Sequence, residues 1–120
     1  MVSDHGYITV ANLEDYCGRD FSGIDAAYDD TLIEGKISLA EELVIEAEGT
    51  TYTSSIPAKT TNAVKYVAKE LMKQQMIDDN YYEMGATART IADMQKELAV
   101  MFVSEISEND TVQGVFVKKG

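Results

Sequence analysis

Apolar residues recur at helical spacing in three separate stretches of the chain, and this pattern constrains the fold more than any other feature. Within 24–48, 57–77 and 91–103 the apolar positions step by three or four residues, as they do on one face of an α-helix. The sequence therefore predicts an all-α fold. The positions that carry the pattern are Ile33, Ile37, Ala40, Val44 and Ala47, then Val64, Val67, Ala68, Leu71, Met72 and Met76, then Ile91, Met94, Leu98, Met101 and Phe102.

Helix start and stop signals divide the chain into about four helices, one short and three longer. Thr9 can cap a short first helix that ends at Gly18, because glycine accepts the left-handed conformation that closes a helix. Ser22 is predicted to start the second helix, which runs to Glu48 before Gly49. Pro57 then opens the third, since its missing N–H is not needed in a first turn.

Two positions depart from an ideal helical sequence. Asn12 stands where a glutamate would complete a capping box with Thr9. Gly35 interrupts the second helix at a cost of about 1 kcal/mol relative to alanine. We expect Gly35 to permit the close approach of another backbone.

The chain divides into a helical domain, residues 1–106, and a C-terminal tail, residues 107–120. The tail is polar at first and then carries a short run typical of a β-strand. A single apolar strand has no partner in a helical bundle, so it either frays or pairs with another chain. We expect it to dock a partner through Val112, Val115, Phe116, Val117, Lys118 and Lys119.

Charge and composition exclude several classes of function. The 120 residues suit one domain and contain 21 acidic and 10 basic residues, for a net charge of −11, so the surface as a whole repels phosphates and anionic lipids. Cys17 and His5 are the only residues of their types, which excludes a disulfide and a Cys/His zinc site. No phosphate-binding loop or catalytic constellation is present, so we expect no enzymatic activity, no metal and no cofactor.

Two charge patterns lie on neighbouring helices. They are open to two interpretations: two solvated faces of the bundle, or a contact in which the acidic helix of one copy faces the lysines of the next. The predicted interface residues are Glu34, Glu41 and Glu48 on the second helix and Lys65, Lys69 and Lys73 on the third.

The order of these elements over residues 8–103 resembles the head–tail connector (adaptor) family of tailed viruses, bacteriophages and related archaeal viruses. The resemblance is carried by the short helix capped at Ile8-Thr9, by Asp29-Asp30-Thr31-Leu32-Ile33, by Glu48-Gly49-Thr50 at the end of the long helix, and by Pro57 ahead of Ala63-Val64-Lys65-Tyr66-Val67-Ala68-Lys69-Glu70-Leu71.

This resemblance implies a structural, non-enzymatic virion subunit that forms a ring, typically of twelve copies, beneath the portal. Such a ring extends the channel through which DNA leaves the head. The implied partners are the portal protein, a tail or head-completion protein, and genomic DNA that passes without sequence-specific binding. The implied location is the neck of the virion, assembled in the host cytoplasm, with no membrane partner.

A second function class fits the same composition. A small acidic helical regulatory or antitoxin-like oligomer of the cytosol could use the lysines at 65, 69 and 73 to contact nucleic acid. The net charge of −11 counts against that alternative.

Overall fold

The computed structural model describes the backbone of residues 4–113 and the side chains of residues 4–102. All regular structure in this part of the chain is helical, which confirms the predicted all-α fold with one short and three longer helices. The elements are α1 (Val10–Cys17), a 3-10 turn (Phe21–Gly23), α2 (Asp30–Glu48), α3 (Ala58–Asp78) and α4 (Ile91–Gln113).

Helix α2 is the central element, because it packs against α1, α3 and α4, while α1 also packs against α3. The apolar stripes meet between them and form one core. Most of the stripe residues are buried, and several are completely inaccessible. The fully buried side chains include Leu13, Phe21, Tyr28, Ile33, Ile37, Val44, Val64, Val67, Met72, Met94 and Leu98.

The predicted caps of α1 and the end of α2 are confirmed. The Thr9 hydroxyl accepts the backbone N–H of Asn12 at 3.0 Å, and the Asn12 side chain accepts the Thr9 N–H at 2.9 Å. Asparagine thus completes the capping box in place of glutamate. Gly18 and Gly49 close α1 and α2 with φ of 71° and 81°, in the left-handed region that glycine adopts without strain.

The predicted start of the second helix is about two turns too early. Ser22 lies inside the 3-10 turn, where Asp20 accepts its backbone N–H at 3.1 Å. The N-cap of α2 is Asp29, whose carboxylate accepts the Leu32 N–H at 2.9 Å. The residues between pack as a loop around Tyr28, which is 1% exposed, so burial of one aromatic ring outweighs the local preference for an earlier cap.

Two further expectations differ from the structure. No atom outside the neighbouring helix backbone lies within 4 Å of a Cβ built on Gly35, so no other backbone of the described residues approaches it. Helix α4 was expected to end near Val103 but continues to Gln113. Val112 is therefore helical and not in a strand, whereas Val115, Phe116, Val117, Lys118 and Lys119 lie outside the described residues.

Candidate functional site

A pocket of about 210 Å³ between the end of α1 and the middle of α3 gathers three basic side chains. Two of them, Lys69 and Lys73, belong to the predicted lysine stripe and lie one turn apart on α3. The third is Arg19, which follows the glycine that closes α1. We call this site the basic pocket, and its lining residues are Cys17, Arg19, Phe21, Lys69, Lys73, Met76 and Tyr82.

The chain reversal after α1 builds one wall of the basic pocket. Gly18 turns the backbone out of the helix, and the Glu14 carboxylate then accepts the Phe21 N–H at 3.1 Å. Phe21 is 1% exposed and anchors the turn in the core. The Arg19 guanidinium lies 3.7 Å from the sulfur of Met76, so the cation is held over the apolar floor of the pocket.

Aromatic rings position the two lysines. The Lys69 Nζ lies 5.9 Å from the centre of the Tyr16 ring, and the Lys73 Nζ lies 5.6 Å from that of Tyr82. A cation over a ring at such distances gains about 0.5–1 kcal/mol when the pair is exposed. These contacts orient both ammonium groups without neutralising them.

The three cations form no ion pair within the described residues. Neither Arg19 nor Lys69 nor Lys73 forms an ion pair with a carboxylate of residues 4–102. The protein has 21 acidic residues against 10 basic ones, so acids are not in short supply. Arg19 also borders a cleft lined by Glu14, Asp15 and Asp20, so the positive charge is concentrated on the α3 side of the pocket, where Lys69 and Lys73 attract a carboxylate or another oxyanion.

The cysteine in the basic pocket does not have the character of a nucleophile. Cys17 is half-buried, and this burial is the main reason that the pKa of its thiol lies above the usual value, with the charges of Lys69 and Arg19 opposing the shift. A thiol with a raised pKa stays protonated near neutral pH and is unreactive. The structure therefore favours a binding role for the pocket over a covalent one.

The predicted glutamates do not lie opposite these lysines on the surface. Glu41 is 0% exposed and Glu34 only 7%, because both turn toward the interior of the bundle. Glu48 is half-buried and accepts the hydroxyls of Tyr52 at 2.8 Å and Thr60 at 3.0 Å. This burial counts against the predicted place of Glu34 and Glu41 in an intermolecular contact.

Glu41 has an internal role that sequence spacing did not suggest. Its two carboxylate oxygens accept the backbone N–H groups of His5 at 3.0 Å and Tyr7 at 2.9 Å. The Ser38 hydroxyl, one turn earlier on α2, accepts the N–H of Asp4 at 2.9 Å. These bonds fasten the N-terminal segment 4–8 along α2. Glu34 has no such partner, and its Oε1 is buried without a hydrogen bond.

Lys65 and the two tyrosines that follow α3 have different surroundings. Lys65 is half-buried one turn before Lys69 and does not line the basic pocket. Tyr81 donates its hydroxyl to Asp25 at 2.6 Å, and Tyr82 packs against the core. Both tyrosines therefore contact their own chain at this end of the bundle.

Sequence reasoning missed Arg19 and Tyr82 as members of the pocket. Gly18 was a signal for Arg19, because a left-handed residue at a helix end folds the next residues back on the helix. Nothing in local spacing signals Tyr82, which reaches Lys73 only through the turn that follows α3.

A second polar cluster joins α3 to α4 outside the pocket. The Tyr66 hydroxyl donates to Glu97 at 2.7 Å, and Arg89 pairs with the same carboxylate. Burial, with the Glu97 bond second, raises the pKa of Tyr66 to about 12. Every charge in this cluster is matched within the chain, in contrast to the basic pocket, so its role is to hold helices together.

The described part of the chain forms neither a metal site nor a helix that could span a membrane. Among these residues, no three His, Cys, Asp or Glu side chains converge as a metal site would require. None of the helices that they form has the length and apolar character needed to cross a bilayer.

Comparisons with protein-family models, with curated proteins and with solved structures found no match to this chain.

Proposed function

We propose that this protein is a structural virion subunit, a head–tail connector (adaptor) that assembles into a ring beneath the portal and extends the DNA exit channel. The observation that carries the proposal is the basic pocket. Arg19, Lys69 and Lys73 form a surface for an anion, and none of them pairs with a carboxylate of residues 4–102. Identical acidic copies supply carboxylates in excess, and a contact between unlike surfaces of identical copies repeats around a ring.

The acidic balance of the chain suits a channel for DNA. With 21 acids against 10 bases, a lumen lined by the surplus carboxylates makes few phosphate contacts and repels the duplex. DNA then passes without being held. The portal protein and a tail or head-completion protein are the proposed neighbours at the two ends, and the C-terminal tail is the segment proposed to contact one of them.

The experiment that tests this function is native mass spectrometry together with electron microscopy of the purified protein, alone and with the portal protein of the same virus. We expect rings, in a twelve-fold arrangement, to appear alone at high concentration or on the portal. A protein that stays monomeric or dimeric under both conditions would contradict the proposal.

The basic pocket is also the observation that favours the alternative, a small regulatory oligomer that contacts nucleic acid. Titration of a labelled DNA duplex at about 0.15 M salt separates the two. The connector predicts no measurable binding, because the net charge of −11 opposes it. Tight binding that Lys69→Ala and Lys73→Ala weaken would favour the regulatory oligomer instead.

A further inference from the structure

The outward side of α2 is a second surface without a partner in its own chain. Thr31, Gly35, Leu39, Glu42 and Glu46 are all exposed and, at 100° per residue, fall within an arc of about 80°. The other sides of α2 pack against α1, α3 and α4. We call these five residues the outer face of α2.

Two residues make the outer face unlike an ordinary solvated helix surface. Leu39 is a large apolar side chain, yet it is 41% exposed. Gly35, one turn away, lies in the middle of the helix with open space where a Cβ would be. A glycine there costs about 1 kcal/mol relative to alanine, and no contact within the chain uses the room that it leaves. A second chain can approach closely at that point.

The charges on the outer face complement those of the basic pocket. Glu46 forms no ion pair within residues 4–102, and the Glu42 side chain stays 59% exposed although it contacts His5. Glu42 and Glu46 are four residues apart, about 6 Å along the helix axis, and so are Lys69 and Lys73. Two carboxylates and two ammonium groups therefore have the same spacing on the two surfaces.

We propose that the outer face of α2 in one copy docks on the basic pocket of the next copy. Glu42 and Glu46 then neutralise Lys69 and Lys73, while Leu39 packs beside the rings of Tyr16 and Tyr82. This docking proposal rests on the proposed ring function and specifies which two surfaces meet between neighbouring copies of the ring. It keeps the expected pairing of an acidic α2 with a basic α3 but moves the acids from the inner side of α2 to its outer side.

The proposed contact is heterologous. The outer face and the basic pocket share no residue, and in this contact each copy uses one to hold its predecessor and the other to hold its successor, rather than exchanging both with one partner. Such contacts close into a ring when the rotation between copies divides a full turn, and otherwise continue as a filament. A two-fold dimer through either surface alone would bring like charges together, which is unfavourable.

Charge reversal on each surface tests the contact. Glu46→Lys and Lys73→Glu should each weaken self-association of the full chain roughly tenfold or more in sedimentation velocity, because each puts like charges face to face. Mixing the two variants should restore assembly, since every contact in an alternating ring again joins opposite charges. Matched reversals outside both surfaces, Glu83→Lys and Lys96→Glu, should assemble as the wild type does.

Circular dichroism melting of each variant verifies that it is folded. Because Lys73 packs over Tyr82, Lys73→Gln serves as a second pocket variant, which removes the charge without reversing it and should also weaken assembly. Wild-type assembly that neither reversal changes, or reversals that fail to rescue each other on mixing, would overturn the docking while leaving the ring function intact. A wild type that never assembles, even with the portal protein, would overturn both.

Discussion

The two sides of α2 use the same residue type in opposite ways. On the inner side, Glu41 is fully buried and accepts two backbone N–H groups of the N-terminal segment. On the outer side, Glu46 is exposed and has no ion pair with the described residues. The inner carboxylate is part of the fold and the outer one is available to a partner. Composition cannot separate these two roles, whereas hydrogen-bond partners do.

The largest expected effect distinguishes these two sides directly. Glu41→Ala leaves the N–H groups of His5 and Tyr7 without acceptors and opens a cavity, so we expect a loss of about 3 kcal/mol in the free energy of unfolding. The matched change Glu46→Ala on the outer side should stay within about 0.5 kcal/mol. Urea denaturation followed by circular dichroism measures both. Equal effects of the two substitutions would contradict the division of α2 into a structural and a free side.

A smaller effect of opposite sign is expected within the inner side. Glu34 is 7% exposed, and its Oε1 has no hydrogen-bond partner, so this carboxylate is desolvated with incomplete compensation. We expect Glu34→Met, which keeps the length of the side chain, to raise the free energy of unfolding by about 1 kcal/mol. The same urea titration measures the gain. A loss as large as that of Glu41→Ala would show that Glu34 also fastens the fold.

The outer side offers a substitution that separates folding from assembly. Gly35→Ala places a methyl group in open space on a regular helix, so we expect the single chain to gain about 1 kcal/mol in the free energy of unfolding. If another copy approaches closely at Gly35, the same methyl group weakens self-association. Thermal melting and sedimentation velocity of one variant measure the two effects. A variant more stable and equally able to assemble would place the intermolecular contact away from Gly35.

The parts of the fold that were predictable from sequence depend on local chemistry. Capping at Thr9, closure at Gly18 and Gly49, and the opening at Pro57 each follow from a residue and its immediate neighbours. The buried faces of α3 and α4 follow from apolar spacing alone. The start of α2 could not be predicted in this way, because Asp20, Asp25 and Asp29 can each cap a helix. The packing of the core, which involves residues distant in sequence, selects among them.

The candidate site was predictable only in its basic half. Lys69 and Lys73 share a helix face by spacing, and the structure keeps them together in one pocket. The prediction of the acidic residues failed because hydrophobic patterning places every glutamate on the solvent-exposed surface. Glu41 is buried since it meets His5 and Tyr7, which lie 36 and 34 residues away in sequence, and no local pattern reveals such partners.

The smallest expected effect concerns the acid stability contributed by Glu97, a carboxylate that accepts a hydrogen bond from the Tyr66 hydroxyl. The hydroxyl of Tyr66 is the main reason that the pKa of Glu97 lies below its usual value of 4.5, with Arg89 adding to the shift. A carboxyl with a lowered folded-state pKa stabilises the fold above its unfolded pKa, and this contribution is lost as the pH falls through the folded value. The loss therefore begins near the usual value of 4.5 and continues below it.

Removing the phenolic hydroxyl should flatten this acid dependence. In Tyr66→Phe the pKa of Glu97 returns toward its usual range, so unfolding free energies measured by urea titration should fall less than those of the wild type between about pH 5 and pH 3. Tyr16→Phe is the matched control, because the Tyr16 hydroxyl forms no hydrogen bond within the described residues. Since the Glu97 side chain is 37% exposed, the change should be smaller than those expected for Glu41→Ala, Glu34→Met and Gly35→Ala. Identical acid profiles of Tyr66→Phe and the wild type would mean that Arg89 alone sets the ionisation of Glu97, and that a hydrogen bond to this partly exposed carboxylate counts for less than the two that the buried Glu41 accepts from backbone N–H groups.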